Sequence, residues 1–295
     1  MEYIACNLCG SKNFKVLYKT ERTDFGVDEY APTGNVHANF GQIVKCAGCG
    51  LVYINPRERS EDIVNKYRDV VDPTCVDEEK GRVFTFERSL GEIEKFKKGG
   101  RILDIGCNIG TFVDVAKRKG WDAYGIEPNN WAAEYARKRG LNVFRGSLAE
   151  SNFSESFFDA VTMWDVLEHF TDPSQELRRT SDLLKTGGML FLTTMDIESL
   201  FARVMGKRYP WLMQMHLYYF SLETIKKMMA KNGLEVFRVS THKRIIRLSY
   251  LVSRIRSYSM PLYNFLNSAV NLFRAGSLLV TVDMGDLVTV RARKV

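Results

Sequence analysis

The stretch that most constrains this chain is Arg101–Gly110, RILDIGCNIG. Ile102, Leu103 and Ile105 form a short apolar run that suits a strand buried on both faces. Gly106 interrupts the run and Gly110 follows four residues later. Thr111–Lys119 then has helical periodicity, with Phe112, Val115 and Ala116 on one face and Lys117, Arg118 and Lys119 near its end. A strand, a glycine turn and a helix in that order bring backbone N–H groups close to a small ligand.

Which ligand follows from what the loop lacks. A dinucleotide fingerprint, G-x-G-x-x-G, cradles a pyrophosphate. Here the spacing is D-x-G-x-x-x-G. The carboxylate of Asp104 near the strand's end would repel a pyrophosphate and suit a cationic or zwitterionic ligand. Asp122–Ile126 (DAYGI) predicts a second strand ending in Glu127, 21 residues after Gly106. An acidic residue there can accept hydrogen bonds from both hydroxyls of a ribose. S-adenosylmethionine has a ribose, a positive charge and no pyrophosphate.

At this point the sequence resembles the class I S-adenosylmethionine-dependent methyltransferases, through ILDIGCNIGTF, YGIEP, FDAVTMWDVLEHFTDP and LLKTGGMLFLTT, in that order over about residues 100–240. The resemblance implies an α/β fold, a Rossmann-like seven-stranded methyltransferase sheet with helices on both faces. It implies cofactor contacts at Asp104, Gly106, Asn108, Gly110, Glu127 and Pro128. Asn108 stands where many members carry glycine, and Asn tolerates positive φ better than other non-glycine residues. GSLAE occupies the place where members contact adenine, which nominates the Ser147 side chain and the Leu148 amide, a plain turn being the alternative. Phe157–Met163 predicts a fourth buried strand. Ligands of open α/β sheets sit at the carboxyl ends of strands, so Trp164, Asp165, Glu168 and His169 should border the transferred methyl group.

Six cysteines are present, four of them in two matching knuckles, Cys6-Asn-Leu-Cys9-Gly and Cys46-Ala-Gly-Cys49-Gly, 36 residues apart. In a reducing compartment this is a metal site rather than a disulfide framework. Four thiolates close a tetrahedral zinc and leave no open position, so a structural role is expected. His37 lies between the pairs as a substitute ligand, though four cysteines suffice; Cys75 and Cys107 read as ordinary reduced residues. Residues 14–45, with Pro32 and Gly34, should form strands and a loop of a zinc ribbon. A cysteine ribbon followed by GLVY-x-NPR and a helix recurs in a subgroup of the methyltransferases, which the first hundred residues therefore resemble too.

Asn55-Pro56 marks a boundary. Ser60 is expected to cap a helix with Ile63, Val64 and Tyr67 on one face, and a second helix is expected from about Asp77 to Lys98. Both would lie over the cofactor cleft, with Tyr67 either approaching the cofactor's methionine end or packing. Asn129–Arg139 predicts a helix and Asn142–Phe144 a short strand. Asp172-Pro173 opens a helix that Gly187-Gly188 closes before a strand at Met189–Thr194, and Ser221 caps a helix at Leu222–Lys231. Trp211, Met213, Met215, His216, Tyr218 and Tyr219 fall in a loop that either walls a substrate pocket or is simply core. Leu234–Ser240 and Leu287–Arg293 predict the sixth and seventh strands, antiparallel as in the family, with more than forty residues between them. There Ile245, Leu248, Val252 and Ile255 recur at helical spacing beside Arg247, Arg254 and Arg256, and Leu262, Phe265, Leu266, Val270 and Phe273 suggest a second helix. The expected organisation is a zinc ribbon at 1–55, a helical cover at 56–100, the cofactor domain at 101–242, an amphipathic helical insertion at 243–276 and the final strand at 277–295.

The net charge of +7 permits contact with nucleic acid, an anionic membrane or an acidic substrate and selects none of them. No apolar run reaches the length of a membrane span and MEYIACNLCG is no signal peptide, so a cytoplasmic location is expected. Residues 245–273 leave open a peripheral contact with the inner face of the membrane, a lid over an amphiphilic substrate, or plain packing. Methyl transfer to a hydroxyl needs a general base, and His169 and His216 flank the predicted methyl site, with Glu168 as alternate. The acceptor expected is a small molecule, a sugar or a lipid-linked glycan intermediate, towards which the resemblance to ubiquinone-type and polysaccharide-cluster methyltransferases also leans. The alternative is an RNA methyltransferase that grips phosphates with ribbon and basic surface, although few basic residues (Lys12, Lys45) lie near the knuckles.

Overall fold

The computed structural model of the chain describes residues 1–20, 25–31 and 40–295, so His37, Pro32 and Gly34 lie outside the described residues. Along the chain the strands are β1 (Phe14–Tyr18), β2 (Ile43–Cys46), β3 (Val52–Ile54), β4 (Arg101–Ile105), β5 (Asp122–Glu127), β6 (Asn142–Arg145), β7 (Phe158–Trp164), β8 (Leu184–Met195), β9 (Tyr218–Tyr219), β10 (Leu234–Thr241), β11 (Arg244–Arg247), β12 (Leu279–Val282) and β13 (Leu287–Lys294). The helices are α1 (Ser60–Arg68), α2 (Thr74–Asp77), α3 (Glu79–Ile93), α4 (Thr111–Arg118), α5 (Asn130–Lys138), α6 (Pro173–Leu183), α7 (Leu200–Met205), α8 (Leu222–Lys231), α9 (Leu248–Ile255) and α10 (Met260–Leu272).

The main sheet has seven strands in the order β10-β13-β8-β7-β4-β5-β6. Six run in one direction, and β13 is antiparallel to both its neighbours, β8 and β10. Alternation along each strand sorts the apolar side chains to two faces. Ile102, Ala160 and Phe191 join Leu90 and Ile93 of α3, Phe112 and Val115 of α4 and Ala133 of α5. Leu103, Val161, Leu190 and Leu192 join Leu177 of α6 and Ile225 and Met228 of α8. Strand order reverses between β4 and its neighbours β5 and β7, so the crevice beyond the carboxyl ends of β4 and β7 is the place this topology offers a ligand.

The second core continues into the N-terminal module, where Cys6, Leu8, Val44, Leu51 and Tyr53 are buried with it. Strands β1, β2 and β3 form an antiparallel sheet whose fourth strand is β9, from the far side of the chain. The segment read as an aromatic loop is therefore partly a strand, with Tyr219 paired to Val52 and Tyr218 to Tyr53.

Other elements differ from their sequence-based expectation for local reasons. Arg59, not Ser60, precedes the first turn of α1, and the Ser60 hydroxyl accepts a bond from Arg57 Nη2 instead. The helix expected over 77–98 is broken at Glu78 and ends at Ile93; in the turn beyond it the exposed Phe96 rests against Phe191 and Phe237. Gly187-Gly188 does not close α6, which ends at Leu183. The pair sits within β8, where residues 185–188 bulge out between the register partners Phe158–Leu184 and Ala160–Met189.

Ile245 is not helical either. It lies on β11, which pairs with β12 to close the insertion as a hairpin running to Val282, past the boundary at 276 that periodicity suggests. The cause is α3, whose Gly81 lets the backbone come close: a Cβ at Gly81 would stand 2.6 Å from the Ile245 carbonyl oxygen. One turn on, the Thr85 hydroxyl accepts from Ile245 N at 2.9 Å. Gly81→Ala should therefore unseat the hairpin at a cost of about 1–3 kcal/mol. Amide exchange would then rise across 244–247 and 279–282 and stay unchanged in β4 to β8.

Candidate functional site

The turn after β4 is shaped by residues that no larger side chain could replace. Gly106 has φ +70°, and a Cβ there would stand 2.7 Å from Val166 Cγ2. Gly110, at φ +78°, precedes α4 and would meet Leu141 Cδ1 at 2.6 Å. Asn108 takes the left-handed conformation expected of it, at φ 49°. Its amide donates to Glu127 Oε2 at 2.7 Å, and the Asn129 amide donates to Oε1 at 2.8 Å. With the Tyr67 hydroxyl also bonded to it, the carboxylate keeps one lone pair with which to accept from a ribose hydroxyl. Burial raises its pKa to about 7 against these hydrogen bonds.

Asp104, expected to meet the ligand, is held by the sheet itself. It is buried, accepts from Thr162 Oγ1 at 2.7 Å, and is pushed up to about 8 by burial and the nearby Glu127. Tyr67 directs its hydroxyl at Glu127 from α1. The Asn129 side-chain amide holds that segment down through the carbonyls of Tyr67 and Val70, both at 2.8 Å. Pro128 is half-buried beside it. The Ser147 amide and hydroxyl are both bonded to Glu150, and Leu148 is buried.

At the end of β7, Asp165 stands at φ 56°. Its amide donates to Thr193 Oγ1 at 2.9 Å and its carboxylate accepts from the same hydroxyl at 2.8 Å. Arg244 of β11 pairs with the other carboxylate oxygen and lies 5.1 Å over the Trp211 ring. Burial alone would raise the Asp165 pKa; Arg244, His242 and Thr193 outweigh it and hold it below the usual carboxylate range. The Trp164 ring packs among Phe86, Phe112 and His242, and its indole N–H has no partner among the described residues.

Glu168, His169 and His216 converge, with one nitrogen or oxygen of each within 4.8 Å of the others. The histidine rings are 4.8 Å apart. His169 Nδ1 lies 2.8 Å from the Met215 carbonyl oxygen and His216 Nδ1 2.8 Å from that of Trp211. A carbonyl can only accept, so Nδ1 carries the proton on both rings and each Nε2 presents a lone pair. Burial lowers both histidine pKa values, that of His216 further because His169 adjoins it. Both rings are thus neutral bases near pH 7. Glu168 is fully buried, accepts from Thr194 Oγ1 at 3.1 Å, has no partner at Oε1 among the described residues, and is raised to about 8 by burial and Asp165.

The four knuckle cysteines also converge, with Cys6 Sγ 3.4 Å from Cys49 Sγ and Cys9 Sγ 3.5 Å from Cys46 Sγ. Each knuckle turns through a positive-φ glycine, Gly10 or Gly50, whose amide bonds the carbonyl of Cys6 or Cys46. Four thiolates around a zinc at about 2.3 Å would stand about 3.7 Å apart, so the donor set and its spacing fit that ion.

Residues 83–239, just over half of the chain, match the family described as methyltransferase domain. The chain belongs to that family. This methyltransferase is 34% identical over 106 residues to the ubiquinone biosynthesis O-methyltransferase of Caulobacter vibrioides, an alignment covering 34% of this chain and 42% of that one. To the enzyme of the same name from Ruegeria pomeroyi it is 35% identical over 117 residues, covering 38% and 47%. The chain thus spans about half or less of the length of these curated relatives. Among solved structures, a methyltransferase-class protein of Bacillus halodurans superposes with a TM-score of 0.51 at 17% identity, over 70% of this chain and 98% of that one, which shows the fold.

Against that family the corner at Glu127 fits an adenosyl ligand: a tight glycine turn, and a buried carboxylate with unused acceptor capacity. Sequence reasoning placed both histidines near the methyl end, and the structure brings them together with Glu168. It missed Arg244 and Thr193, which fix Asp165. Thr193 carries no signal beyond its place on an apolar strand, whereas Arg244 could have been suspected as a cation just past a strand that ends at the site.

Proposed function

We propose that the methyltransferase moves a methyl group from S-adenosylmethionine to a hydroxyl of a small-molecule, sugar or lipid-linked acceptor. The observation that carries this is the pair of neutral histidines, each with Nδ1 held by a backbone carbonyl, grouped with Glu168 past the end of β7. The names of the curated relatives point to the same reaction class. The cofactor, when bound, supplies a methyl carbon already activated by a sulfonium. The chain's own residues then have three tasks. Glu127 accepts a ribose hydroxyl, with Gly106, Asn108 and Gly110 giving the backbone its close approach and Pro128, Ser147 and Leu148 bordering the adenosyl moiety. Trp164 and Asp165 flank the reacting centre and help exclude water from it. His169 or His216 takes the acceptor's proton at Nε2 as the oxygen attacks. The C–S electron pair stays with sulfur and S-adenosylhomocysteine leaves. Glu168 is the alternate proton acceptor, in the minority ionised form that a pKa of about 8 leaves near pH 7.

Calorimetry on the purified, zinc-loaded chain should show binding of S-adenosylhomocysteine, weakened by about tenfold or more in Glu127→Gln. No binding at all would end the reading. His169→Ala and His216→Ala should depress turnover by about 100-fold or more with cofactor affinity intact. A base must be neutral to accept a proton and both pKa values are lowered, so the acid limb of the rate profile should fall below about pH 6.5. Full activity in both variants would remove the histidines from the mechanism.

A structural zinc on Cys6, Cys9, Cys46 and Cys49 is part of the proposal, supported by the converging sulfurs. Metal analysis should return about one zinc per chain. It should be lost in Cys46→Ser along with solubility. A soluble, folded chain without zinc would refute it.

Peripheral contact with an anionic membrane is the remaining element. On α10 the side chains of Leu262, Phe265 and Leu272, with Phe273 just past its end, share one helical face and are 47%, 71%, 78% and 77% exposed. Residues 243–278 hold six Lys and Arg and no Asp or Glu. That combination suits the surface of an anionic bilayer. No helix among the described residues is long and apolar enough to cross one. Vesicles containing phosphatidylglycerol should sediment the protein, purely phosphatidylcholine vesicles should not, and Phe265→Ser/Phe273→Ser should abolish the difference.

A further inference from the structure

A cavity of about 270 Å³ opens on the α3 side of the main sheet, where none of the residues assigned above to proton transfer or to the ribose lies. Arg88 reaches it from α3, Arg238 from β10, Arg291 from β13, and Lys243 from the segment entering the insertion. Glu92 is the single carboxylate in the lining. It is already paired with Lys95 and lies 3.8 Å from Arg291 Nη2.

Glu92 answers only part of this positive charge. Arg238 and Arg291 are cross-strand register partners, an arrangement in which like charges destabilise a sheet. Arg291 is only 4% exposed, yet its Nε has no hydrogen-bond partner among the described residues and Nη1 reaches only the Ser240 hydroxyl, at 3.0 Å. Arg88, Arg238 and Lys243 have no carboxylate within 4.0 Å among the described residues. Trp164 also lines the cavity, and its buried indole N–H has no partner among the described residues. A buried guanidinium with an orphaned N–H is costly unless an anion completes it.

We propose that this cavity is a seat for a phosphate-type group, a phosphate or diphosphate carried on an organic ester or free in solution. Arginine forks match the oxygens of such a group in bidentate fashion, and four cations against one carboxylate leave room for a dianion. The volume is slightly below the ~300 Å³ at which whole-ligand pockets begin, which suits a headgroup rather than an entire substrate. Trp164 lines the cavity and Asp165 follows it directly in the chain, so the seat adjoins the methyl end. Assigning the anion to the methyl acceptor rests on the function proposed above; the seat itself does not.

The test is calorimetry on the full-length, zinc-loaded protein with inorganic phosphate, inorganic pyrophosphate and uridine diphosphate, each followed by S-adenosylhomocysteine. Pyrophosphate should bind, and Arg88→Gln/Arg238→Gln should weaken it by about tenfold or more while homocysteine-nucleoside affinity stays within about twofold. Those two side chains are chosen because Arg291 lies in the core, where its loss threatens folding. Tighter binding of uridine diphosphate than of pyrophosphate assigns the seat to an organic ester; equal affinity assigns it to the free anion. No heat with any of the three, or unchanged affinity in the double variant, overturns the proposal. A protein that binds pyrophosphate but not S-adenosylhomocysteine would keep the seat and lose the enzymatic reading.

Discussion

The pairing of β3 with β9 is the contact on which the reaction centre depends. Two residues of strand, Tyr218 and Tyr219, join the N-terminal module's sheet, and the same run of backbone bonds continues on either side. The amide of Ile54 donates to the Leu217 carbonyl, and the amide of Leu217 donates to the Glu168 carbonyl, both at 2.9 Å. His216 is the residue just before this run, and His169 the residue just after Glu168. The two histidine-bearing loops are thus bonded directly to each other, and the small cysteine-bearing module braces one of them from its outer side.

The module is in turn fastened to the sheet's helices at their polar ends. Asn7 accepts from the Ser174 amide at the start of α6 and donates to Asp172, the cap of that helix, while Lys231 at the end of α8 donates to the carbonyls of Asn7 and Leu8. Arg57, nearly buried, ties the Thr171 carbonyl and the Tyr218 hydroxyl together. A free backbone amide at the start of α6 and a lysine side chain at the end of α8 are thus the fixing points, and the first knuckle is held to both helices at once. Charge is laid out accordingly: carboxyls are buried at the nucleoside end, around Asp104 and Glu127, and cations gather on the far side of Trp164.

Much of this was legible from local physics. The glycine turn, the left-handed Asn108, the Asp172 and Ser221 caps and the last two strands each follow from preferences that act over a few residues. What escaped came from contacts between distant segments. Nothing in HLYYF announces an edge strand, because β9 exists only through β3, some 165 residues away. Ile245 fits a helical period, yet Gly81 draws it into an extended conformation. Asp104 shares a strand face with Ile102, so its carboxyl belongs to the sheet interior beside Thr162, a direction that spacing alone does not reveal.

The insertion leaves the sheet after Thr241 and returns at Leu287, and the His242 amide bonds the Leu287 carbonyl at 2.7 Å. Its exit and re-entry are therefore a single closed gate in the backbone. Whatever length of chain hangs beyond that gate leaves the register of β10 against β13 untouched. Such a joint lets one lineage exchange its outer module for another, and with it the surface presented to an acceptor, while the nucleoside-binding half stays as it was.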